Sequence, residues 1–368
     1  MIPAMHKGRG IVAVTVCAMA TWAQSTYEGR AAAVLQTPAA KLVIDLGGGS
    51  IVDFHMPDQG LNPLRWLGPS DEKMTMRPTA HFLCLDRWGQ PSTAEGRNGM
   101  PYHGEATRVM WKQEEAPPAG GPFAAAAFSA VLPMAGLEVR RTVRLARNAA
   151  YLIVSETVTN RNKLGRPYNM VQHPTIGPPF LDETTLVDAN AGKGFMQSSP
   201  MPNPEQPAVA WPAALKDGEE VDLRRLTSDP IPAVASFVID AEYGWVTAIT
   251  PAKGLLLGYL WKTSEYPWLN IWRHVDKGKP LARGLEFGTT GLHQPFGVLI
   301  AKGSIFGRRL VAYLDAGESA TRSYAAFLLK TPADFAGVES VDYARRRIAV
   351  RERGPRAREL ALETGQIF

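Results

Sequence analysis

The chain has 368 residues, which is enough for one large domain or two smaller ones. Apolar residues make up 45% of the sequence and charged residues 20%, a balance that predicts a globular core and excludes a disordered chain. The formal net charge is only +5, and no basic stripe is interleaved with aromatic residues, so we expect no nucleic-acid partner. The run Arg345-Arg346-Arg347 is more typical of a solvated strand edge or turn than of a nucleic-acid patch.

The first residues have the pattern of an export signal. Lys7 and Arg9 form a basic start, residues 11–20 are apolar, and Thr21-Trp22-Ala23 provides a small-x-small cleavage pattern. The apolar run is too short to remain as a membrane anchor. We therefore expect a signal peptide over residues 1–23 and a mature protein in the periplasm or outside the cell. The alternative is a cytoplasmic chain whose apolar start forms a strand.

Two cysteines are present, Cys17 and Cys84. Cys17 lies inside the apolar run without a lipobox, which argues against a lipoprotein. Cleavage would leave Cys84 alone in an apolar segment, where a cysteine usually packs as a small buried hydrophobe. The sequence therefore predicts neither a disulfide nor a zinc site of paired cysteines.

Strand-like runs dominate the rest of the chain, and helical periodicity is scarce. The runs are short and are separated by turns, for which 29 prolines and 34 glycines supply the chemistry. The predicted strands cover residues 41–46, 49–55, 106–112, 124–132, 137–145, 150–160, 234–240, 244–250, 254–261, 296–300 and 319–329. This succession predicts an all-β fold such as a β-sandwich. No linker divides residues 24–368, so we expect a single domain.

Three segments depart from simple strand patterns. Residues 190–212 are rich in proline, glycine and serine, which predicts a long surface loop. Residues 331–338 begin with a threonine and a proline in positions that favour a short helix. In the alternating run 137–145, Arg141 falls on the otherwise apolar face.

His173 is the first candidate for chemistry. It is followed by Pro174 and then by the segment 177–179 (Gly-Pro-Pro), which favours an extended backbone. A histidine on such a backbone is suited to act as a general acid near neutral pH. The alternative is a histidine whose ring only satisfies a loop carbonyl.

Glu286 is the second candidate. It lies between Leu285 and Phe287 and is flanked by Gly284 and Gly288 in a strand-like run. A carboxylate among apolar neighbours can be partly desolvated and serve as a base. The alternative is an ordinary strand glutamate that faces solvent.

A third group comes earlier in the chain. In His103-Gly104-Glu105 the glycine permits a close backbone or ligand approach, and Tyr102 offers a ring for stacking. Asn62, Arg65 and Arg97 precede this group and provide donors for hydroxyl groups. Each arginine taken singly is more typical of ordinary surface.

Residues 261–273 contain three tryptophans and one tyrosine among polar residues. Flat rings stack on the C–H faces of sugars, and planar polar groups bind sugar hydroxyls, so this composition suits a carbohydrate. Trp268, which follows Pro267, is the favoured stacking residue. The alternative is an aromatic core strand, particularly for Trp261 and Trp272.

The order of these motifs resembles the aldose 1-epimerase, or galactose mutarotase-like, superfamily. The likeness rests on His103-Gly104, His173-Pro174 and the run Leu285-Glu286-Phe287-Gly288-Thr289 before the turn at residues 291–295. The early hairpin at residues 43–54 is also similar, and the resemblance extends over residues 41–329. It implies a β-supersandwich of two large, mostly antiparallel sheets with a sugar-binding face.

The resemblance also implies an isomerase that acts on a sugar or on the end of an oligosaccharide, and a role for each residue. His173 would protonate the ring oxygen, Glu286 would take the proton of the anomeric hydroxyl from the opposite side, and His103 would bind the substrate. No cofactor and no metal are implied. One departure is that the family glutamate is followed by Thr-Gln, whereas Glu286 is followed by Phe287-Gly288-Thr289. The family's substrate-binding aspartate has only Asp182 and Asp188 as nearby candidates.

Two other functions remain open from the sequence. One is a non-catalytic exported carbohydrate-binding protein that uses Trp268 and the loop 190–212. The other is a polysaccharide lyase-like enzyme in which a histidine and a carboxylate or Tyr102 abstract a proton beside a uronate. A metal site is not expected, because no His-x-His or His-x-x-x-His spacing occurs among His81, His103, His173, His274 and His293, which are five of the seven histidines.

Overall fold

The structure, a computed structural model, describes residues 25–68, 76–115 and 121–368. The predicted signal peptide, with Cys17, lies outside the described residues. Within them, strands predominate and only two short α-helices occur, neither of them long and apolar enough to cross a membrane.

The elements follow one another along the chain with short connections. The strands of the first half are β1 (Ser25–Tyr27), β2 (Arg30–Gln36), β3 (Lys41–Asp45), β4 (Ile51–His55), β5 (His81–Asp86), β6 (Lys112–Glu114), β7 (Phe123–Leu132), β8 (Leu137–Ala146), β9 (Tyr151–Asn160), β10 (Arg166–Ile176), β11 (Leu186–Ala189) and β12 (Lys193–Met196). Those of the second half are β13 (Val209–Ala210), β14 (Ala213–Lys216), β15 (Glu219–Asp222), β16 (Val234–Val238), β17 (Tyr243–Thr250), β18 (Leu255–Lys262), β19 (Trp268–Asp276), β20 (Lys279–Gly288), β21 (Ser304–Ile305), β22 (Arg308–Arg309), β23 (Ala312–Leu314), β24 (Ser319–Lys330), β25 (Val338–Ala344), β26 (Arg347–Glu352) and β27 (Glu359–Glu363). The helices are α1 (Thr93–Arg97) and α2 (Phe296–Lys302), and short 3-10 turns occur at Ala106–Arg108 and Pro251–Lys253.

Most strands pair into two large antiparallel sheets. The larger sheet has twelve strands, in the order β1-β2-β3-β4-β5-β10-β20-β19-β16-β12-β13, with β23 paired to the start of β10. The smaller sheet has eight strands, in the order β11-β17-β18-β24-β9-β8-β7-β6. This is the two-sheet architecture that the sequence predicted. β25, β26 and β27 form a separate three-stranded sheet at the end of the chain.

The two large sheets pack face to face over one apolar core. Side chains alternate between the faces of a strand, so every second residue of each strand reaches this core. It includes Val139 and Val143 from the eight-stranded sheet and Leu42 and Leu285 from the larger one. The single free cysteine of the described residues, Cys84, is buried as expected.

The C-terminal three-stranded sheet covers the other face of the eight-stranded sheet. Val341, Ile348 and Val350 pack there against Ile153 and Phe327. Part of the eight-stranded sheet is therefore buried on both sides, whereas the hydroxyl pair of Thr157 and Thr321 on β9 and β24 remains exposed. The outer face of the larger sheet instead carries loops and α2, and it is the face on which the candidate site lies.

The charge that interrupts the apolar face of β8 is neutralised inside the core. Arg141 Nε lies 2.6 Å from Glu156 Oε1, and its guanidinium stacks over the ring of Trp111 at 4.3 Å. Gln172 of the larger sheet donates to Glu156 Oε2 at 2.5 Å and accepts from His81 within 3.3 Å. This buried polar cluster links the two sheets.

Two predicted elements are wrong. Residues 296–300 lie in helix α2, not in a strand, because Phe296 and Leu299 meet the core at helical spacing. Residues 331–337 contain turns and no helix, and the backbone becomes a strand at Val338.

Two other segments differ in detail from the prediction. Residues 106–112 begin with the 3-10 turn at Ala106–Arg108, and only Lys112 belongs to a strand. The predicted loop 190–212 contains β12 and the two-residue strand β13, with irregular backbone between them. Its prolines and glycines concealed these short sheet pairings.

Candidate active site

His173 and Glu286 lie side by side on adjacent strands of the larger sheet. The antiparallel register of β10 and β20 places His173 opposite Glu286. On either side of this pair, Phe82 of β5 is opposite His173 and Asn270 of β19 is opposite Glu286. Four residues from four adjacent strands therefore form one row across the sheet.

This row faces away from the eight-stranded sheet. Gln172 reaches into the core between the sheets, where it contacts Glu156. Because successive side chains of a strand point to opposite faces, His173 points outward. The residue pair predicted for proton transfer is thus brought together on the outer face of the larger sheet.

The two side chains are in direct contact. His173 Nε2 lies 3.1 Å from Glu286 Oε1, and both residues are at most 5% exposed. His173 Nδ1 is 2.9 Å from the hydroxyl of Thr175, which donates its own proton to the His173 carbonyl. Nδ1 is therefore the donor to Thr175, and Nε2 is left to share a proton with the carboxylate. The ring also stacks on Phe82, with centroids 4.1 Å apart.

Trp88 holds the other oxygen of the carboxylate. Its indole N–H donates to Glu286 Oε2 at 2.6 Å, and Trp88 is buried. The turn that carries Trp88 is anchored by the buried carboxylate of Asp86, which binds the guanidinium groups of Arg87 and Arg166. A fixed donor on one oxygen leaves the other oxygen free for proton exchange.

His103 approaches the pair from the loop that follows α1. Its backbone N–H donates to the carbonyl of Gly89 at 2.9 Å, and its Nδ1 accepts from the N–H of Gly89 at 3.0 Å. Its ring centroid lies 5.6 Å from that of His173. Burial and the neighbouring His173 hold the pKa of His103 well below its usual range. His103 is thus a neutral imidazole whose Nε2–H is available as a donor.

Gly89 and Gly104 permit the close packing around His103, because neither has a side chain. A side chain at Gly104 would place its Cβ 2.0 Å from the carbonyl oxygen of Leu85, and one at Gly89 would meet the ring of His293 at 2.7 Å. Both glycines have a positive φ. The sequence reading of His103-Gly104 as a close backbone approach is therefore confirmed.

His293 is a further member of the site, to which sequence reasoning gave no role. Its ring lies 4.6 Å from Trp88 and 5.7 Å from His103, and its Nε2 is 3.0 Å from the hydroxyl of Tyr102. Burial lowers the pKa of His293 to about 4, although the charge of Glu286 opposes this shift. The only sequence signal for a role of His293 was its position in the turn at residues 291–295, shortly after the strand that carries Glu286.

Two tryptophans form the wall beside the pair. Trp272 meets the ring of His173 edge-on at 5.8 Å, and Trp66 meets Trp272 in the same way at 5.5 Å. Trp66 also stacks on Phe82 at 6.1 Å. Both tryptophans are half-buried, so each keeps part of its ring accessible.

Asn270 has an unused acceptor next to Glu286. Its Nδ2 donates to the carbonyl of Thr290 at 3.2 Å, but its buried Oδ1 has no hydrogen-bond partner among the described residues. A buried acceptor without a partner costs ~1–3 kcal/mol, which a ligand hydroxyl could recover. Sequence reasoning missed Asn270 because nothing in its local sequence distinguishes it from other strand residues.

Other predicted binding residues lie elsewhere. Asn62 is occupied by backbone: its Oδ1 accepts from the N–H groups of Phe54 and Leu64, and its Nδ2 donates to the carbonyl of Val52. Arg65 is exposed and lines a cavity with Trp66, and neither His103 nor His173 is in that lining.

Arg97 and Trp268 also do not reach the site. Arg97 is exposed in the last turn of α1. Trp268 is 0% exposed, packs against Phe195 and donates its indole N–H to the carbonyl of Arg309 at 3.1 Å. The expectation that Trp268 stacks on a ligand is wrong, because its ring has no accessible face. The aromatic-core alternative is correct for this residue.

The two candidate aspartates are engaged in ion pairs away from the site. Asp182 pairs with Lys253 at 2.8 Å, and the buried Asp188 pairs with Arg224. Neither contacts His173 or Glu286.

No sequence-family profile matches the chain, and no curated protein sequence matches it. Solved structures do match. A candidate aldose 1-epimerase from Klebsiella pneumoniae superposes with a TM-score of 0.57 at 16% identity, over 84% of this chain and 82% of the other.

Two galactose mutarotase-like proteins match to a similar degree. The one from Clostridium acetobutylicum has a TM-score of 0.58 at 14% identity, over 82% of this chain and 96% of the other. The one from Lactobacillus casei has a TM-score of 0.57 at 14% identity, over 81% of this chain and 100% of the other. The chain therefore has the galactose mutarotase-like fold, in agreement with the resemblance read from the motifs.

Proposed function

We propose that the protein is an aldose 1-epimerase-like mutarotase, an isomerase that interconverts the anomers of a sugar without a cofactor. The observation that carries this proposal is the 3.1 Å contact between His173 Nε2 and Glu286 Oε1 on the outer face of the larger sheet. One proton donor and one proton acceptor in contact are what ring opening at an anomeric centre requires.

The reaction needs two proton transfers in each direction. Glu286 takes the proton of the anomeric hydroxyl while His173 gives a proton to the ring oxygen, and the bond between C1 and the ring oxygen breaks to leave an open-chain aldehyde. Rotation about C1–C2 turns the other face of the carbonyl toward the new hydroxyl. On reclosure that hydroxyl returns its proton to His173, and Glu286 returns its proton to the oxygen on C1.

The side-by-side arrangement refines the sequence prediction. Acid and base were expected on opposite sides of the anomeric centre, whereas the two groups are neighbours on one sheet face. The two oxygens that exchange protons are bonded to the same carbon, so neighbouring groups can reach both.

The surrounding residues support this chemistry in distinct ways. Trp88 holds the carboxylate of Glu286 in place, and neutral His103 can donate to a sugar hydroxyl. Asn270 offers its unpaired oxygen as an acceptor. Trp272 provides a half-buried ring beside His173 for the C–H face of a pyranose.

Anomer exchange measured by saturation-transfer NMR tests the proposal. Fresh α-glucose and α-galactose should equilibrate faster with the protein than in buffer. Glu286→Gln and His173→Asn should each lower kcat by ~10²–10⁴-fold while the circular dichroism spectrum is retained. Glu363→Gln, an exposed change on the C-terminal sheet, is the matched control and should behave like wild type. Wild-type rates in both active-site variants would refute the assignment.

The two alternative functions give different results in the same experiments. A binding protein would bind glycans without changing anomer exchange, but its expected stacking residue Trp268 is buried. A lyase would produce ultraviolet absorbance from an unsaturated product. The role of Tyr102 as its base is disfavoured, because burial and the charge of Glu286 raise the pKa of that phenol.

We further propose that the protein is exported and acts on a sugar outside the cytoplasm. This rests on the basic, apolar and small-residue pattern of residues 1–23. N-terminal sequencing of protein from a periplasmic fraction should begin at Gln24, and a chain that retains Met1 in the cytoplasmic fraction would contradict export.

A further inference from the structure

Two adjoining cavities lie beyond the tryptophan wall of the active site. One has a volume of about 320 Å³ and includes Trp66, Thr79 and Leu281 in its lining. The other has a volume of about 220 Å³ and includes Asp53 and His55. Tyr27, Glu28 and Arg65 line both cavities, so the two are parts of one depression. Their sizes are near the lower end of those that hold small ligands.

Trp66 is the partition between this depression and the active site. It lines the larger cavity, and its ring contacts both Trp272 and Phe82, which in turn contact His173. Pro178, which lines the cavity, follows His173 by only five residues, which is at most ~16 Å of extended chain. A molecule longer than one sugar ring can therefore reach from one side of Trp66 to the other.

The depression contains polar groups suited to hydroxyls. Asp53 Oδ1 lies 2.6 Å from His55 Nδ1 in a pair that is largely buried. The exposed guanidinium of Arg65 forms no hydrogen bond or ion pair within the described ranges and lies near the phenol of Tyr27. Charges of both signs are present, with Glu28 and Asp53 opposing Arg65, so the depression favours a neutral polar ligand over an ion.

We propose that this depression is a second sugar subsite and that the substrate is a reducing oligosaccharide. Its reducing end would enter the site of His173 and Glu286, the chain would cross Trp66, and the next units would bind Arg65, Tyr27 and Asp53. This inference rests on the proposed mutarotase function, of which it names the substrate class. It also gives Arg65 a role in substrate binding outside the catalytic row.

Binding and catalysis can be tested separately. Isothermal titration calorimetry with maltotriitol, cellotriitol and mannotriitol measures binding alone, because these reduced trisaccharides have no anomeric centre to open. Saturation-transfer NMR with maltotriose, cellotriose and mannotriose, against glucose and mannose, measures anomer exchange. Wild type, Arg65→Ala and Tyr27→Phe are compared with Arg345→Ala, which removes an exposed arginine in the turn between β25 and β26.

If the depression is a sugar subsite, the kcat/KM for one of the three trisaccharides should be at least tenfold above the kcat/KM for its monosaccharide. Arg65→Ala should weaken binding of the matching reduced trisaccharide about tenfold and lower its preference over the monosaccharide, and Tyr27→Phe should do so to a smaller extent. Arg345→Ala should have neither effect. Equal values for trisaccharides and monosaccharides, with no response to Arg65→Ala, would overturn the subsite even if glucose anomers are exchanged. Binding that depends on Arg65 without faster anomer exchange would retain the subsite and overturn the mutarotase proposal.

Discussion

Arg141 and Glu156, opposite each other on β8 and β9, form an ion pair that is closed off from solvent between the two large sheets. Gln172 bonds to the same carboxylate from the larger sheet, one residue before His173. The residue of β10 that joins this buried ion pair and the residue that contacts Glu286 therefore lie on opposite faces of the same strand.

Removal of one member of the Arg141–Glu156 ion pair should destabilise the protein strongly. Arg141→Met would leave Glu156 charged and buried, and such a change costs ~3–5 kcal/mol of the free energy of unfolding. The double variant Arg141→Met/Glu156→Met should recover a large part of that loss. Lys330→Met, which breaks the exposed pair with Asp58, should cost less than ~1 kcal/mol. Urea unfolding measures all three, and equal losses for the buried and exposed pairs would contradict the expectation.

Trp88→Phe should impair catalysis while leaving the fold intact. It removes the 2.6 Å hydrogen bond to Glu286 Oε2 but retains an aromatic ring at that buried position. A hydrogen bond to a charged group contributes ~1.5–3 kcal/mol, so kcat for anomer exchange should fall ~10–150-fold. Trp211→Phe is the control, since that ring packs edge-on against Phe237 in a separate apolar cluster. Equal kcat in the two variants would mean that Trp88 only fills space.

Stability should fall as the pH drops from about 6.5 to about 4, in part through His293. The unfolded chain protonates this histidine near its ordinary pKa of 6.5, whereas burial lowers its pKa in the folded protein to about 4. Between these values the unfolded state binds more protons, so the free energy of unfolding decreases as the pH falls, by up to ~1.4 kcal/mol per pH unit. Above the upper value the contribution is constant.

His293→Gln isolates that contribution. Its free energy of unfolding, measured with urea at several pH values, should fall less steeply than that of wild type across the same window. His81 and His103 have pKa values lowered by burial in both proteins, so part of the slope should persist. Identical slopes in the two proteins would show that His293 titrates normally in the folded state.

Gly104→Ala should be far more damaging than a glycine substitution in an open turn. The new Cβ would lie 2.0 Å from the Leu85 carbonyl oxygen, at a residue with a φ of 78°. Gly278→Ala, with a similar φ of 74° and open space around it, isolates the backbone contribution, for which ~1–2 kcal/mol is expected. Gly104→Ala should lose more than this in urea unfolding and should displace His103. Equal losses of the free energy of unfolding in Gly104→Ala and Gly278→Ala would mean that the loop of His103 shifts without cost.

Much of the fold could be predicted from local pattern. The hairpin of β3 and β4 and the long strands β7, β8 and β9 are strand-like runs separated by turn residues, and the structure has each of them. The helix α2 was missed because an apolar run of five residues fits either period. Its identity is decided by packing of Leu299 against a separate cluster, which only the tertiary structure reveals.

The site was partly predictable for a different reason. His173 and Glu286 belong to short motifs with a characteristic order. Trp88 instead reaches the carboxylate from the turn after β5, and Asn270 lies beside Glu286 only through sheet register. Trp268 and Trp272 share one strand and one motif, yet one is core and the other is wall. Their difference depends on what covers each end of β19, and the local sequence contains no signal of that.

The location of His173 and Glu286 on strands also bears on how such a protein can diversify. His173 and Glu286 are carried by paired strands, whose spacing is fixed by backbone hydrogen bonds. Trp66, His103 and His293 lie on loops, which tolerate insertion and exchange. Under the proposed mutarotase function, changes confined to these loops would alter the recognised sugar without moving His173 or Glu286. Loop grafting onto this scaffold would then be a practical route to other sugar specificities.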